Sequence, residues 1–337
     1  MRYSIIIPVF NRPDEVDELL QSLTEQTVKD FEVVIVEDGS KTPCKDVVDK
    51  YAEQLHLIYY YKENGGPGPA RNYGVEHAKG DYVLILDSDC VLPPTYLAAI
   101  EAELNNNPCD AFGGPDRSHE SFTPVQKAIS YSMTSFFTTG GIRGGKKKLD
   151  KFYPRSFNMG VKREVYNALG GFSKMRFGED IDFSIRIFKG GYKCRLFTEA
   201  WVWHKRRTDM DKFFKQVFNS GIARINLEKR HPGSMKLVHL LPTVFTIGVI
   251  GLIIAALVLR FMGSWLWLYA LLPIELYCLL IFIDSSIQNK SMVIGILSVE
   301  AAFVQLFGYG LGFIKAWWQR CILKRGEFSA YEKNFYD

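Results

Sequence analysis

Cysteine is scarce in this 337-residue chain, and what there is has no pattern. Cys44, Cys90, Cys109, Cys194, Cys278 and Cys321 form no Cys-x-x-Cys pair, and no histidine stands at a zinc-like spacing from them. A disulfide framework and a structural zinc site are therefore not indicated, and a reducing cytosol fits best. Net charge is also small, +4 from 41 basic and 37 acidic residues, which gives no case for nucleic acid as a partner. No Gly-Lys-Ser/Thr phosphate loop occurs, and the first apolar run ends in Pro8-Val-Phe-Asn11 where a dinucleotide fingerprint needs glycines. There is no internal repeat. A signal peptide is not expected, because residues 3–10 read as a buried strand that runs straight into the turn Asn11-Arg12-Pro13. The N-terminal part is expected to stay on the side where it was made.

Long apolar runs are missing before Leu237 and dominate after it. Residues 237–259, 264–283 and 292–314 each approach the roughly 20 residues that span a hydrocarbon core as a helix. The first two read as spans. Glu300 and Gln305 weaken the third, and three spans would put Lys315, Arg320, Lys324 and Arg325 opposite the N-terminal domain, against the positive-inside tendency. One segment that lies in the interface or re-enters is the alternative. Glu275 and Glu300 read either as a polar lumen or substrate contact, or as helix-to-helix hydrogen bonding or a location near the interface. The expected division is an N-terminal domain over 1–230, a membrane region of two to three helices over 237–318 and a basic tail over 319–337. Residues 211–228 interleave Phe213, Phe214, Val217 and Phe218 with Lys212, Lys215 and Arg224, the pattern of a helix lying on a bilayer.

The first part alternates short apolar runs (4–10, 32–36, 56–61, 81–86) with amphipathic stretches (13–25, 44–54 and one after Pro69). Strict alternation predicts an α/β domain, Rossmann-like, with a mostly parallel sheet and ligands at the carboxyl ends of its strands. Chemistry-bearing residues stand in those positions. Asp87-Ser88-Asp89 follows one strand, and two hard carboxylates there suit Mg²⁺ or Mn²⁺ with positions left for diphosphate oxygens. Glu37-Asp38-Gly39 ends another strand as an exposed acid for a base or ribose, and reads equally as an Asx turn. Gly66 and Arg71 open a helix in an arrangement favourable to anions. Gly178-Glu179-Asp180 reads, on its own, as a helix N-terminus whose acids favour the dipole. The Gly- and Lys-rich stretch 140–148 is either a lid or a solvated connector.

Ser4-Ile-Ile-Ile-Pro-Val-Phe-Asn11, Val36-Glu-Asp-Gly-Ser40, Gly68-Pro-Ala-Arg-Asn72, Leu86-Asp-Ser-Asp89 and Gly178-Glu-Asp-Ile-Asp182 occur in the order and spacing of one family. Over about residues 3–224 the chain resembles the family 2 glycosyltransferases, inverting enzymes of the GT-A fold (nucleotide-diphospho-sugar transferase), here followed by an α-helical membrane region. The resemblance implies a nucleotide pocket at Pro8, Phe10, Asn11, Glu37, Asp38, Gly66, Arg71, Asp87 and Ser88. It implies Asp89 and His204 as metal ligands for Mg²⁺ or Mn²⁺, and Asp180 as catalytic base. Asn158, Gly171 and Glu179 would border donor sugar and acceptor. The implied partners are a nucleotide-sugar donor, a UDP-sugar first, and a lipid or lipid-linked acceptor at the cytosolic membrane face, for glycolipid or surface polysaccharide synthesis; a homo-oligomer is compatible with the sequence. Two readings compete: a metal-dependent nucleotidyltransferase, and a noncatalytic membrane assembly protein that keeps a sugar-nucleotide-binding domain.

Overall fold

The computed structural model describes residues 1–117, 119, 121–139, 152–175, 177–205 and 207–327. They fall into two compact units, one from the described parts of 1–119 and 150–205, the other from those of 120–149 and 206–337.

The first unit is built on seven strands in the order β3-β2-β1-β4-β8-β6-β9. β1 (Tyr3–Val9), β2 (Phe31–Asp38), β3 (Leu57–Lys62) and β4 (Tyr82–Leu86) are mutually parallel, linked by helices α1 (Pro13–Thr24), α2 (Lys45–Lys50) and α3 (Pro67–Glu76). β1, β2 and β4 read as largely apolar runs because both faces are covered, whereas β3, at the sheet edge, is part-buried. Ile5, Ile7 and Val9 pack with Val16, Leu19, Leu20 and Leu23 of α1 on one face. Ile6 points the other way, among Val34, Val36, Ala70 and Phe183. Truncating such a residue to alanine costs about 2–5 kcal/mol, since the close-packed sheet cannot collapse onto the gap.

The parallel pattern stops at β4. After the short β5 (Cys90–Val91) and α4 (Tyr96–Asn106) come β6 (Ala111–Gly113) and β7 (Asp116–Arg117), and β8 (Asn158–Lys162) inserts antiparallel to both β4 and β6. Helices α5 (Pro124–Thr134) and α6 (Phe136–Thr139) belong to the second unit; α7 (Arg163–Ala168), α8 (Glu179–Lys189), β9 (Cys194–Leu196) and β10 (Val202–His204) complete the first. A separate three-stranded sheet β5-β10-β7 pairs His204 with Cys90, which carries a residue late in the chain to the end of β4.

The second unit continues with α9 (Met210–Arg230), a 3₁₀ turn (Leu237–Leu240), α10 (Leu241–Phe261), α11 (Trp267–Asn289) and α12 (Met292–Trp317). Three of its helical segments, Leu237–Phe261, Trp267–Asn289 and Met292–Ile322, are long and apolar enough to cross a membrane. α9, which lies within the domain expected over 1–230, falls in this unit. Its apolar face is not left for a bilayer either: Phe213 and Val217 pack with Ile294 and Ala301, and Ile222 and Ile225 pack with Phe313 and Ala316. Glycines permit the approach. A Cβ on Gly312 would overlap the Phe218 carbonyl oxygen, and one on Gly221 the Tyr309 carbonyl oxygen. Residues 140–148, the lid or connector of the sequence reading, lie outside the described residues, as does the tail from 328 on.

Candidate active site

The loops at the carboxyl ends of β1, β2 and β4 hold the site. Asn11 takes a positive φ of 55°, its N–H donates to Ser40 Oγ at 2.7 Å, and its side-chain oxygen accepts from Lys41 and Thr42 N–H. Ser40 donates in turn to Glu37 Oε1. Pro8 and Phe10 are half-buried on the same edge.

Glu37 and Asp38 are not the exposed acids that the sequence suggested. Glu37 is fully buried, and besides Ser40 it accepts from Cys44 N–H at 2.8 Å and Tyr59 Oη at 3.2 Å. Asp38 accepts from the N–H groups of Gly65 and Gly66 at 2.9 and 2.8 Å and from Lys62 Nζ at 2.7 Å. The acids thus fasten the loops: Gly39, at φ 76°, lies so near Asn64 that a Cβ would stand 2.7 Å from its nitrogen. The N–H of Gly66 is taken by Asp38. The Gly65–Gly66 turn satisfies Asp38, while Ser40, Cys44 N–H and Tyr59 satisfy Glu37, as buried polar groups must be.

Arg71 stands at the centre of a chain of charges. It is 4% exposed, donates from Nη2 to Asp87 Oδ1 at 2.7 Å and from Nη1 to Glu179 Oε1 at 2.8 Å, and its guanidinium lies 5.2 Å over the Phe172 ring. Burial pushes the Glu179 carboxyl up to about 7, the adjacent Asp180 adds to the rise, and Arg71 opposes both. Asp180 opens α8, accepts from Ile181 N–H at 2.8 Å and pairs through Oδ2 with Arg155 Nε at 2.8 Å. Asp87, Arg71, Glu179, Asp180 and Arg155 therefore form one continuous polar track, and Ser88 is buried beside it.

Asp89 departs from Asp87. Its Oδ1 is 3.1 Å from His204 Nε2, and its Oδ2 is 3.5 Å from Arg12 Nη1. The β5–β10 pairing and a stack of the His204 ring on Phe157, 4.7 Å between centroids, hold the imidazole in place. The ligand atoms of Asp89, Cys90 and His204 lie within 4.8 Å of one another. A carboxylate and an imidazole fit Mn²⁺ or Mg²⁺, with further positions for diphosphate oxygens. Cys90 fits such a hard cation poorly, since burial raises its thiol well above the ordinary value and its Sγ lies 3.4 Å from the Phe157 carbonyl oxygen.

Two residues expected at the donor and acceptor pocket serve the framework. Asn158 is buried with both ends used, accepting from Tyr96 Oη at 2.7 Å and donating to the Ala200 carbonyl at 2.8 Å. Gly171, at φ 64°, forms a turn against Asn72, whose amide clasps Phe172 through two 2.8 Å bonds. Sequence reading missed Arg155, Arg12, Lys62 and Tyr96. Arg155 stands in Tyr153-Pro-Arg-Ser-Phe-Asn158, a stretch with no periodicity to mark it.

Known proteins resemble this chain in sequence and in fold. The Glycosyl transferase family 2 model matches residues 4–170. An uncharacterized glycosyltransferase of Haemophilus influenzae is 32% identical over 193 residues, which are 55% of this chain and 62% of that protein. The poly(ribitol-phosphate) beta-glucosyltransferase of Bacillus spizizenii is 39% identical over 94 residues, 26% of this chain and 15% of its own length. The solved structure of the mannosyltransferase PcManGT from Pyrobaculum calidifontis, in complex with GDP-Man and Mn²⁺, superposes with a TM-score of 0.63 at 19% identity, over 90% of this chain and 86% of that one. The chain spans less than two thirds of the length of the first curated relatives it matches, 22%, 30% and 62%. Residues 4–170 are a family 2 glycosyl transferase domain, and the fold that carries it is GT-A.

Proposed function

We propose that the chain is a membrane-bound, inverting glycosyltransferase that moves a sugar from a nucleoside-diphosphate donor, UDP-linked by family resemblance, to a lipid or lipid-linked acceptor at the cytosolic face, in glycolipid or surface polysaccharide synthesis. The observation that carries the reading is the track Asp87–Arg71–Glu179–Asp180 joined to the Asp89–His204 pair at the ends of parallel strands. PcManGT, with its GDP-Man and Mn²⁺, supports a nucleotide sugar and a divalent ion as ligands of this fold.

Asp89 and His204 would hold Mn²⁺ or Mg²⁺, which supplies positive charge to a departing diphosphate. Arg71, fixed by two carboxylates, offers a preoriented cation beside Asp87 and needs no reorganisation as charge develops. Asp180 takes the proton of the acceptor hydroxyl while that oxygen bonds to the anomeric carbon and the bond to the diphosphate oxygen breaks. A carboxylate has about four lone-pair sites, so the bonds from Ile181 N–H and Arg155 leave acceptor capacity. One base and one displacement invert the anomeric centre.

The test is to incubate the purified full chain with a panel of sugar nucleotides and Mn²⁺ or Mg²⁺, with and without membrane lipid extract, and to measure released nucleoside diphosphate. Metal-dependent release that rises with lipid extract is expected. No release from any donor would overturn the enzyme reading, and equal release with soluble saccharides alone would overturn the lipid acceptor.

A further inference from the structure

Three helices are long and apolar enough to cross a bilayer, yet their contacts do not describe three upright rods. α10 and α11 are joined by the five residues 262–266, and Phe245 meets Tyr277 at 5.2 Å between ring centroids, so they form an antiparallel hairpin. α12 first follows α11: Gly295 lies against Phe282 and Ser286, Ser298 Oγ is 2.7 Å from Ser285 Oγ, and Phe303 meets Tyr277 at 5.9 Å. As α12 advances, α11 runs backward. α12 then passes to α10: Phe303 meets Phe245 at 5.6 Å, Thr246 Oγ1 donates to the Leu306 carbonyl at 3.2 Å, and Phe313 packs with Leu240. Here too the partner runs backward as α12 advances. A rod cannot run opposite to both members of an antiparallel pair, so α12 lies across them.

Both sets of contacts fall on the part of the hairpin away from the 262–266 connection: the first turns of α10, and α11 from its middle at Tyr277 to Ser286. Toward the other end, Ile254, Leu257, Phe261, Leu268, Leu272 and Leu276 are 42–94% exposed. A second observation is independent of the crossing. α9 runs alongside α12, with Val217 and Phe218 seated on Gly308 and Gly312, and its outer side carries exposed Asp211, Lys212 and Lys215. Were α12 upright in the bilayer, these charges would sit near its midpoint, where charged side chains are costly to hold in hydrocarbon.

We propose that α12 lies in the bilayer interface across the base of the α10–α11 hairpin, with α9 on its flank, and that the chain crosses the membrane twice. The surface is the side of α12 toward the hairpin together with Trp317 and Trp318, 45% and 53% exposed at its end, and its partner is the headgroup layer, where Trp is at home. Lys315, Arg320, Lys324 and Arg325 then lie on the same side as Lys229, Arg230 and Lys236, which restores the positive-inside pattern. Glu300 leaves the hydrocarbon. Asp284, held by Tyr131 at 2.5 Å and Gln288 at 2.9 Å, belongs to the base.

The native thiol of Cys321 is exposed just past α12 and reports its far end. Sealed membrane vesicles of defined orientation carrying the full chain are treated with a membrane-impermeant maleimide, and detergent-opened vesicles give total labelling. Wild-type Cys321 is compared with Lys229→Cys and Met262→Cys, each in a Cys321→Ser background. Cys321 and Lys229→Cys are expected to react from one side and Met262→Cys from the other. Labelling of Cys321 from the side of Met262→Cys means three crossings and overturns the proposal; Met262→Cys reacting from the side of Lys229→Cys removes the two-crossing hairpin and overturns it as well.

Discussion

Replacing Arg71 with Met removes a cation that joins Asp87 to Glu179. The two partners do not lose equally. Asp87 is 29% exposed and recovers water, whereas Glu179, at 9%, is left as a buried acid without its cation. Breaking a buried pair from one side costs about 3–5 kcal/mol. For a unit of this size each kcal/mol moves the unfolding midpoint by about 2–4 °C, so a fall of about 6–20 °C is expected. Arg71→Lys keeps the charge, but one ammonium cannot copy a guanidinium that donates from two nitrogens to two acids, and an intermediate loss is expected. Adding Glu179→Gln to Arg71→Met should recover part of the midpoint, because it removes the stranded charge. Thermal unfolding of the detergent-solubilised full chain compares wild type with these three variants. A midpoint unchanged in Arg71→Met, or lowered further by Glu179→Gln, would refute the buried track.

Glu179 gives a pH signature, since its carboxyl rises from 4.5 in an unstructured chain to about 7. Between those values the unfolded chain has lost the proton that the folded one keeps, so stability falls as pH rises through the window and levels off above it; the slope should vanish in Glu179→Gln, and a wild-type midpoint flat across the window would contradict the burial argument. Asp89→Ala is expected to abolish metal-dependent nucleotide binding while the fold persists, measured by calorimetry with Mn²⁺ and nucleotide, and normal binding would remove the metal assignment. Gly312→Val should separate α9 from α12 and speed proteolysis after Lys229 or Arg230; an unaltered digestion pattern would mean that the close approach is not required.

The parallel half of the sheet was legible because β1, β2 and β4 are buried on both faces and so carry uninterrupted apolar runs. β6 and β9 have three residues each, too few for a period, and β8 contains Gly160, which is there because any Cβ would overlap the Phe112 ring. Packing partners distant in sequence fix such strands. The acids at strand ends were equally visible, but their assignments were not: whether Glu37 faces a ligand or Tyr59, and whether Asp38 faces a base or the N–H groups of Gly65 and Gly66, depends on a second loop. The basic, aromatic pattern of 211–228 fits a bilayer face and a protein face alike. Glycines 308 and 312, on a helix nearly a hundred residues later, decide between them.

Transfer of a sugar with Asp180 as its base is tested most directly by comparing wild type and Asp180→Asn for donor affinity and for the rate of nucleoside diphosphate release in the presence of Mn²⁺ and acceptor lipid. Asparagine keeps the size of the side chain at the start of α8 and removes its basicity. Donor affinity is expected to stay within a few fold while turnover falls by at least about 10². Turnover equal to wild type, or lost donor binding with unchanged chemistry, would contradict that role.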